Sequence, residues 1–482
     1  MKKTENKATS WIICQECQGR GKKSRGLNKK ALLHYQIAVE QFEKTSSQEK
    51  APIRPKGHLY PCSNCNGSGL LASAGYPIPD KENFPHVAII GAGIGGVALA
   101  VACLHRKIPF TLYERDNNFD ARSQGYGLTL QQASKAIEGL GIFSLKNGVI
   151  STKHVVHTTD GKMIGEWGMR KWIPSDTKKS SKRSNVHIAR QSLRLALLEQ
   201  LEGHNTVQWG HQLIDFKQSD NNGVHLTFEV NGEVKTSKAD LVVGADGIRS
   251  SVRRLLIGEN ITPLRYLDCI VILGICPLKA LENLNSPLLD SATVFQTANG
   301  NERIYIMPYS KDSVMWQLSF PMSEKEAKAL SALGPQALKE EACKRTQWHE
   351  PIPQILAATL ETQISGYPVY DRELLKSEYM EKWGQITLLG DAAHPMSPFK
   401  GQGANQALLD VLMLARSITK GCNSFSQWRK NGIRESVLTE FESEMLERSA
   451  IKVKDSAEAA QFLHSEIVLQ KGDEPRGRCK TK

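Results

Sequence analysis

Four short runs of mostly apolar, uncharged residues stand apart along the chain. They are Val87-Ala88-Ile89-Ile90, Pro109-Phe110-Thr111-Leu112-Tyr113 ending on Glu114, Leu241-Val242-Val243 after Asp240, and Ile386-Thr387-Leu388-Leu389. Runs this short, without polar alternation, are what parallel strands buried on both faces require. A different pattern fills the interval between the third and fourth. There residues 292–297, 303–308 and 313–320 read as successive strands, divided by the turn-forming Ala298-Asn299-Gly300-Asn301 and Tyr309-Ser310-Lys311-Asp312. Helical spacing follows. Residues 406–420 continue as an amphipathic helix, and 429–468 are rich in helix formers, with Leu438, Phe441, Met445, Ile451 and Val453 expected to pack inward. Near the front, residues 28–44 predict one helix with Leu33, Ile37 and Phe42 near one face, while residues 470–482 are polar and are expected to fray.

The first apolar run leads directly into Gly91-Ala92-Gly93-Ile94-Gly95-Gly96. Gly91, Gly93 and Gly96 occupy the three positions of a dinucleotide fingerprint: a tight turn, a close backbone approach to pyrophosphate, and close packing of the next helix. The pyrophosphate belongs at that helix's N-terminus, where unpaired amides and the dipole attract anions. Glu114, with Arg115 beside it, closes the second run where a ribose-binding acid is expected, and its carboxylate favours the ADP half of FAD or NAD over a 2′-phosphate.

Two further fragments extend the pattern. Asp240-Leu241-Val242-Val243-Gly244-Ala245-Asp246-Gly247 is followed by Arg249 and Arg253, and Gly390-Asp391-Ala392-Ala393-His394-Pro395 leads through Pro398 to Gly401-Gln402-Gly403-Ala404-Asn405. In this order the three fragments resemble the FAD-dependent aromatic-ring monooxygenases of the para-hydroxybenzoate hydroxylase type, over about residues 85–415. The resemblance implies that Asp391 binds the ribityl chain, and that the turn from Pro398 to Asn405 starts a helix facing the pyrimidine end of the flavin. It further implies that Asp246 lies near the pyrophosphate and that Arg190, in Ile188-Ala189-Arg190-Gln191, contacts FAD. His394 is expected to cap or pack rather than act. The fold expected is α/β: a Rossmann-like FAD-binding domain with an inserted β-rich substrate lobe and C-terminal helices.

The implied chemistry is reduction of FAD by NADH or NADPH, activation of O2 at flavin C4a, and transfer of one oxygen atom to an aromatic or polycyclic small molecule. No second glycine fingerprint is present, so the nicotinamide is expected to bind transiently, and no catalytic acid or base is assigned. Tyr305, Met307, Trp316 and Phe320 are expected on one face of the inserted sheet, lining an apolar pocket. A flavin-dependent halogenase is the nearest alternative, but Trp167-Gly168-Met169-Arg170-Lys171-Trp172-Ile173-Pro174 places Arg170 where that motif needs tryptophan.

The front of the chain departs from this family. Cys14-Gln15-Glu16-Cys17-Gln18-Gly19-Arg20-Gly21 is repeated as Cys62-Ser63-Asn64-Cys65-Asn66-Gly67-Ser68-Gly69. Each is a CxxCxGxG knuckle, and the pair resembles half of the cysteine-rich zinc module of DnaJ-type co-chaperones. Four thiolates from Cys14, Cys17, Cys62 and Cys65 suit tetrahedral Zn2+, with disulfides or a redox pair as the alternative. The module gives a zinc-ribbon-like start to the chain and opens a third reading, a protein-interaction module with a regulatory flavin domain.

The expected layout is a zinc module at 1–72, a linker at 73–85, an FAD-binding domain formed from 86–260 and 375–425, a substrate lobe at 261–374, C-terminal helices at 426–470, and a flexible tail at 471–482. The chain of 482 residues carries net charge +12, and residues 1–84 hold 14 Lys and Arg against 7 Asp and Glu. The knuckles lack a basic stripe with interleaved aromatics, so nucleic acid is not expected as a partner. The uncharged stretch 87–104 is read as strand, turn and helix rather than a membrane span, because four glycines interrupt it. The N-terminus has no apolar core long enough for a secretory signal, and a cytoplasmic location is the expectation.

Overall fold

The computed structural model describes residues 10–45, 52, 54–55, 57–121, 126–168, 185–201, 207–219, 223–422 and 428–475. The basic stretch Lys178-Lys179-Ser180-Ser181-Lys182-Arg183, the segment from Met169 to Pro174 and the last residues of the tail, 476–482, lie outside the described residues. The chain divides into two compact units, residues 1–77 and 78–482.

In the first unit the strand Ser10–Ile13 pairs antiparallel with Leu70–Ser73, and Lys22–Ser24 pairs with Leu59–Pro61. The first pairing carries this unit past residue 72, into the segment expected as linker. The helix Lys29–Thr45 occupies the interval between the knuckles, with Leu33 and Ile37 exposed.

The second unit is built on a five-stranded parallel sheet in the order Val207–Gln208, Phe110–Tyr113, Val87–Ile90, Leu241–Gly244 and Ile386–Leu388. All four uncharged runs are strands of it. The central Val87–Ile90 is buried at every residue, because helices cover one face and the antiparallel sheet of Gln212–Ser219, Gly223–Val230 and Glu233–Ala239 covers the other. No helix among the described residues is long and apolar enough to cross a membrane.

A seven-stranded sheet forms the second layer, in the order Met163–Trp167, Lys153–His157, Thr293–Ala298, Arg303–Ser310, Ser313–Pro321, Leu264–Pro277 and Ile364–Arg372. Its first two strands come from the range expected to belong wholly to the FAD-binding domain. Lys153–His157 is recruited by parallel pairing with Thr293–Ala298, so the substrate lobe is itself discontinuous. One face of this sheet is packed by the helices Glu324–Ala332, Pro335–Arg345 and Ile352–Ala358, and the other carries the clusters around Tyr126 and Phe399.

The C-terminal part is helical: Gly403–Gly421 and Thr439–Phe462 are the long elements. Leu438, Phe441, Met445 and Val453 are buried as expected, but Ile451 is 67% exposed because it falls on the outer side of its helix. The described part of the tail is tied down rather than frayed. The Gly472 amide donates to the Ile164 carbonyl at 3.1 Å, and Asp473 accepts from the Glu166 amide at 3.1 Å.

Candidate functional site

The three glycines of the first motif have three different surroundings. A Cβ added at Gly91, whose φ is +101°, would lie 2.8 Å from the Ala245 carbonyl oxygen, and one at Gly96 would lie 1.8 Å from the Gly91 oxygen. Strand, turn and helix therefore touch backbone to backbone at both positions. A Cβ at Gly93 would meet nothing within 4 Å. The middle glycine borders open space, as the close approach of a pyrophosphate demands.

The helix Ile94–Leu104 begins there with no side-chain cap and no acidic residue in its first turn, so its first amides are left for an anion. Glu114 is buried and anchored: one oxygen accepts from the Ala92 amide at 2.7 Å, the other from the Asp116 amide at 3.0 Å. Arg115 beside it is exposed. Arg194, which the sequence does not single out, donates from Nε to the Ala92 carbonyl at 2.7 Å and braces the same loop.

The third motif is arranged around Asp391, which solvent reaches although protein surrounds it closely. That crowding raises its carboxyl above the ordinary value, opposed by the nearby Arg190 and His394 and reinforced by Asp410. Arg190 opens the helix Arg190–Glu199 and lies over the Tyr126 ring at 5.1 Å. Burial lowers its pKa, while Asp391 and Tyr367 favour its charge. The proposed ribityl-binding acid and the arginine therefore converge from positions 201 residues apart in the sequence.

Gly401, at φ +59°, turns the chain into the helix Gly403–Gly421, which again begins without a side-chain cap or an acid in its first turn. Pro398 starts the short turn Pro398–Lys400 just before it, and a Cβ at Gly403 would lie 3.3 Å from Asp391 Oδ1. Ala404 is half-buried in the first turn.

Two residues expected to touch cofactor spend their side chains on the protein instead. Asn405 Oδ1 accepts from the amides of Gln131 and Ala133 at 2.8 and 3.2 Å, and its Nδ2 donates to the carbonyls of Thr129 and Gly401 at 2.9 and 2.8 Å. All four hydrogen-bonding capacities of the amide are used, which makes it a clamp. Asp246 accepts from the hydroxyl of Ser250 and from the amides of Ser251 and Val252 at 2.7 and 3.2 Å, so it caps its own helix, Ser251–Ile257.

Arg253 is buried rather than solvated. It donates to the carbonyls of Ala392 and Ala393, both at 2.9 Å, and ties the second motif to the third. Burial, with Arg372 nearby, pushes its pKa down to about 10.

Behind Asp391 lies a second buried network. Asp410 Oδ2 accepts from the Gly390 amide at 2.9 Å and pairs with His394 Nε2 at 2.7 Å, while its other oxygen pairs with Arg448. His394 thus packs against Asp410 through Nε2, with Nδ1 buried and unpartnered among the described residues.

The expected aromatic face of the second sheet divides in two. Ile306 pairs with Trp316 and Met307 with Met315, so Trp316 and Phe320 point away from the cleft into the helix-covered core, where Trp316 Nε1 donates to Thr359 Oγ1 at 2.9 Å. Tyr305 and Met307 share the other face with Ile275, Val294, Met315 and Tyr126. A bulge between Pro308 and Ser310 is the cause. With the register that Ser310 and Ser313 begin, all four residues would have shared one face; one extra residue reverses it.

In the first unit the four cysteines are buried and their Sγ atoms all lie within 4.8 Å of one another. Cys14 and Cys62 Sγ are 3.9 Å apart, Cys17 and Cys65 Sγ 3.7 Å. A zinc–sulfur distance of about 2.3 Å in a tetrahedron separates ligands by roughly 3.8 Å, which this group meets. The knuckles are related by reciprocal bonds: the Cys14 amide donates to the Gly69 carbonyl at 2.8 Å, and the Cys62 amide to that of Gly21 at 2.9 Å. The amides of Gly21 and Gly69 also point at Cys17 and Cys65 Sγ, both at 3.2 Å.

Comparison with known proteins agrees with the geometry of the second unit. The model of the FAD binding domain family matches residues 85–424. A probable FAD-dependent monooxygenase of Arthroderma benhamiae is 26% identical over 79% of this chain and 92% of its own length. The aurachin C monooxygenase/isomerase of Stigmatella aurantiaca is 27% identical, over 69% of this chain and 80% of its own. Among solved structures, Klebsiella pneumoniae HpxO complexed with FAD and uric acid superposes with a TM-score of 0.64 at 20% identity, covering 79% of this chain and 89% of that one. With a family model over residues 85–424 and monooxygenases among the relatives, the chain belongs to the FAD binding domain family, as an FAD-dependent monooxygenase.

Proposed function

We propose that the enzyme uses NADH or NADPH and O2 to hydroxylate an aromatic or polycyclic small molecule held between the flavin and the second sheet. The observation that carries this is the convergence of Asp391 and Arg190 beside Tyr126 and Tyr367, aromatic residues set against the cleft face of that sheet. FAD, when bound, supplies the redox and oxygen chemistry. Gly93 and the helix Ile94–Leu104 receive its pyrophosphate, Glu114 its adenosine ribose, and Asp391 with Arg190 its ribityl chain. The amides at the start of Gly403–Gly421 stabilise negative charge at the pyrimidine end. Tyr305, Met307 and Met315 keep water from the substrate side.

The test is oxidation of NADH and NADPH by FAD-loaded protein across phenols, aromatic acids, indoles and polyketides, with O2 uptake and hydrogen peroxide measured together. One compound is expected to accelerate oxidation with little peroxide. Acceleration by none, in protein that retains FAD, would overturn this reading.

Cys14, Cys17, Cys62 and Cys65 are read as a structural zinc site. The small unit has few apolar contacts beyond these four cysteines, so metal binding would supply most of its folding energy. Metal analysis of the purified chain is expected to find one zinc per molecule, and Cys62→Ser to lose it while FAD content is unchanged. Protein that is metal-free with oxidised cysteines would favour disulfides. A protein partner for this unit fits its exposed helix, and a cytoplasmic setting fits the free thiols elsewhere among the described residues.

A further inference from the structure

Gln131, Gln402 and Gln406 join their side-chain amides in one unbroken row that runs from Arg448 to the turn before Gly401. Gln406 Nε2 donates to Gln402 Oε1 at 3.2 Å, Gln402 Nε2 to Gln131 Oε1 at 2.7 Å, and Gln131 Nε2 to the Lys400 carbonyl at 3.2 Å. At the far end Arg448 donates to Gln406 Oε1, while its other terminal nitrogen pairs with Asp410. Gln402 and Gln406 are buried, and Gln131 is half-buried.

A lone amide can be turned end for end, exchanging donor and acceptor. This row cannot. A guanidinium only donates, so Gln406 must meet Arg448 with its oxygen and Gln402 with its nitrogen; the same constraint then passes to Gln402 and on to Gln131. A carbonyl only accepts, and that of Lys400 at the other end demands the same direction. Both ends therefore fix one polarity, with the donors directed toward the turn Pro398–Lys400. Hydrogen bonds aligned in series from a charged donor also polarise one another.

The row ends at the cofactor side. Gln131 Nε2 carries two hydrogens and meets one acceptor among the described residues, and it lies 3.7 Å from the position of a Cβ at Gly401. Its second N–H is left at the turn that opens the helix Gly403–Gly421, the end assigned to the pyrimidine edge of the flavin. Asn405 holds the Gln131 backbone there by accepting from its amide at 2.8 Å.

We propose that this row is a positioning device for the cofactor: it holds an N–H of Gln131 toward the pyrimidine edge of bound FAD and favours the reduced, negatively charged flavin over the oxidised one. Reduction by the nicotinamide donor delivers a hydride, two electrons with one proton, and leaves the flavin with one negative charge. A hydrogen bond to a charged acceptor is stronger than the same bond to a neutral one, so a fixed donor stabilises the reduced form selectively. The backbone amides of the helix act at the same edge; the row adds a side-chain donor whose direction Arg448 sets from three links away. This rests on the assignment of the turn to the flavin site, and adds control of the reduction potential to it.

The test reads that potential without turnover. Full-length protein with FAD bound is reduced slowly beside an indicator dye of known potential, and the two absorbances are compared. In the unaltered protein the bound flavin is expected to reduce at a higher potential than free FAD. In Gln131→Met with FAD retained, the preference for reduced over oxidised FAD is expected to fall about tenfold, a drop of about 30 mV for two electrons. Gln406→Met, at a side chain that hydrogen-bonds only to Gln402 and Arg448, is expected to lower that preference at least about twofold in the same direction. Gln132→Leu, exposed beside the row and outside it, is expected to leave the potential unchanged.

A potential below that of free FAD in the unaltered protein overturns the proposal, as does an unchanged potential in Gln131→Met. So does a drop in Gln131→Met that Gln406→Met does not share, because the last amide would then act without the row. Where Gln406→Met fails to retain FAD, Gln402→Met breaks the row at the next link and must give the drop in its place. Unaltered protein that holds no FAD sinks the flavin-site reading itself. A potential set by the row in protein that hydroxylates no ring sinks the monooxygenase reading alone, and coupled hydroxylation with an unmoved potential sinks this inference alone.

Discussion

Gly96→Ala is expected to yield protein that purifies without flavin and melts well below the unaltered chain. A methyl group there would lie 1.8 Å from the Gly91 carbonyl oxygen and 3.0 Å from its carbon, both backbone atoms that no side-chain rotation can move. The helix Ile94–Leu104 would have to lift from the central strand, against a core buried at nearly every residue. Overpacking of this kind costs about 1–3 kcal/mol where side chains can yield, and more where they cannot. Gly93→Ala is the control. Its methyl meets nothing within 4 Å, and its φ of −70° suits alanine, so the flavin-free protein should melt unchanged. FAD affinity should nevertheless fall, because the added methyl occupies the pyrophosphate's approach. Measuring melting temperature and flavin content for both variants separates the two roles; similar melting of both FAD-free proteins would refute the argument.

The same contrast shows what the sequence displays and what it hides. The parallel strands are legible because burial on both faces forces continuous uncharged runs, and three glycines at fixed spacing specify a turn that few other structures need. The four cysteines are legible for the same reason: CxxCxGxG carries its own geometry. Residues acting across long separations are not. Arg253 reads equally as a cofactor-phosphate ligand or a helix-surface residue until the fold brings Ala392 and Ala393 to it, and Arg194 looks no different from a solvated arginine before it meets Ala92. Asn405 and Asp246 sit at motif positions, yet their side chains are turned to backbone, a distinction that residue type cannot convey.

The division of the aromatic residues has a more local cause. Strand identity from Arg303 to Phe320 follows from alternation, but the face follows from register, and one bulged residue at the hairpin reverses it. Trp316 and Phe320 thereby became core, while Tyr305 and Met307 kept the opposite face. Alternation alone carries no record of that extra residue, since the bulge is fixed by pairing and not by composition.

Asp410→Ala is expected to be the most destabilising single change near the site. The carboxylate is fully buried and holds the Gly390 amide, His394 and Arg448 at once. Burial alone would raise its pKa, but His394 and Arg448 outweigh this and bring it below the usual 3.8. Removing it strands a buried imidazole and takes the carboxylate from Arg448, which is 24% exposed and keeps Gln406, a loss of about 3 kcal/mol, the low end for a broken buried pair. It also frees the turn that sets Asp391, so flavin retention should fall together with stability. The double variant Asp410→Leu with Arg448→Met removes the charges together and should recover much of the melting temperature but not the flavin, because the Gly390 amide still lacks its acceptor. The pH dependence has a definite sign. A carboxylate whose folded pKa is depressed stabilises fully above its unfolded value and loses that contribution as pH falls through the folded value. The melting-temperature gap between the unaltered chain and Asp410→Ala should therefore be constant near neutrality and narrow below about pH 4. A gap that widens on acidification would overturn this sign.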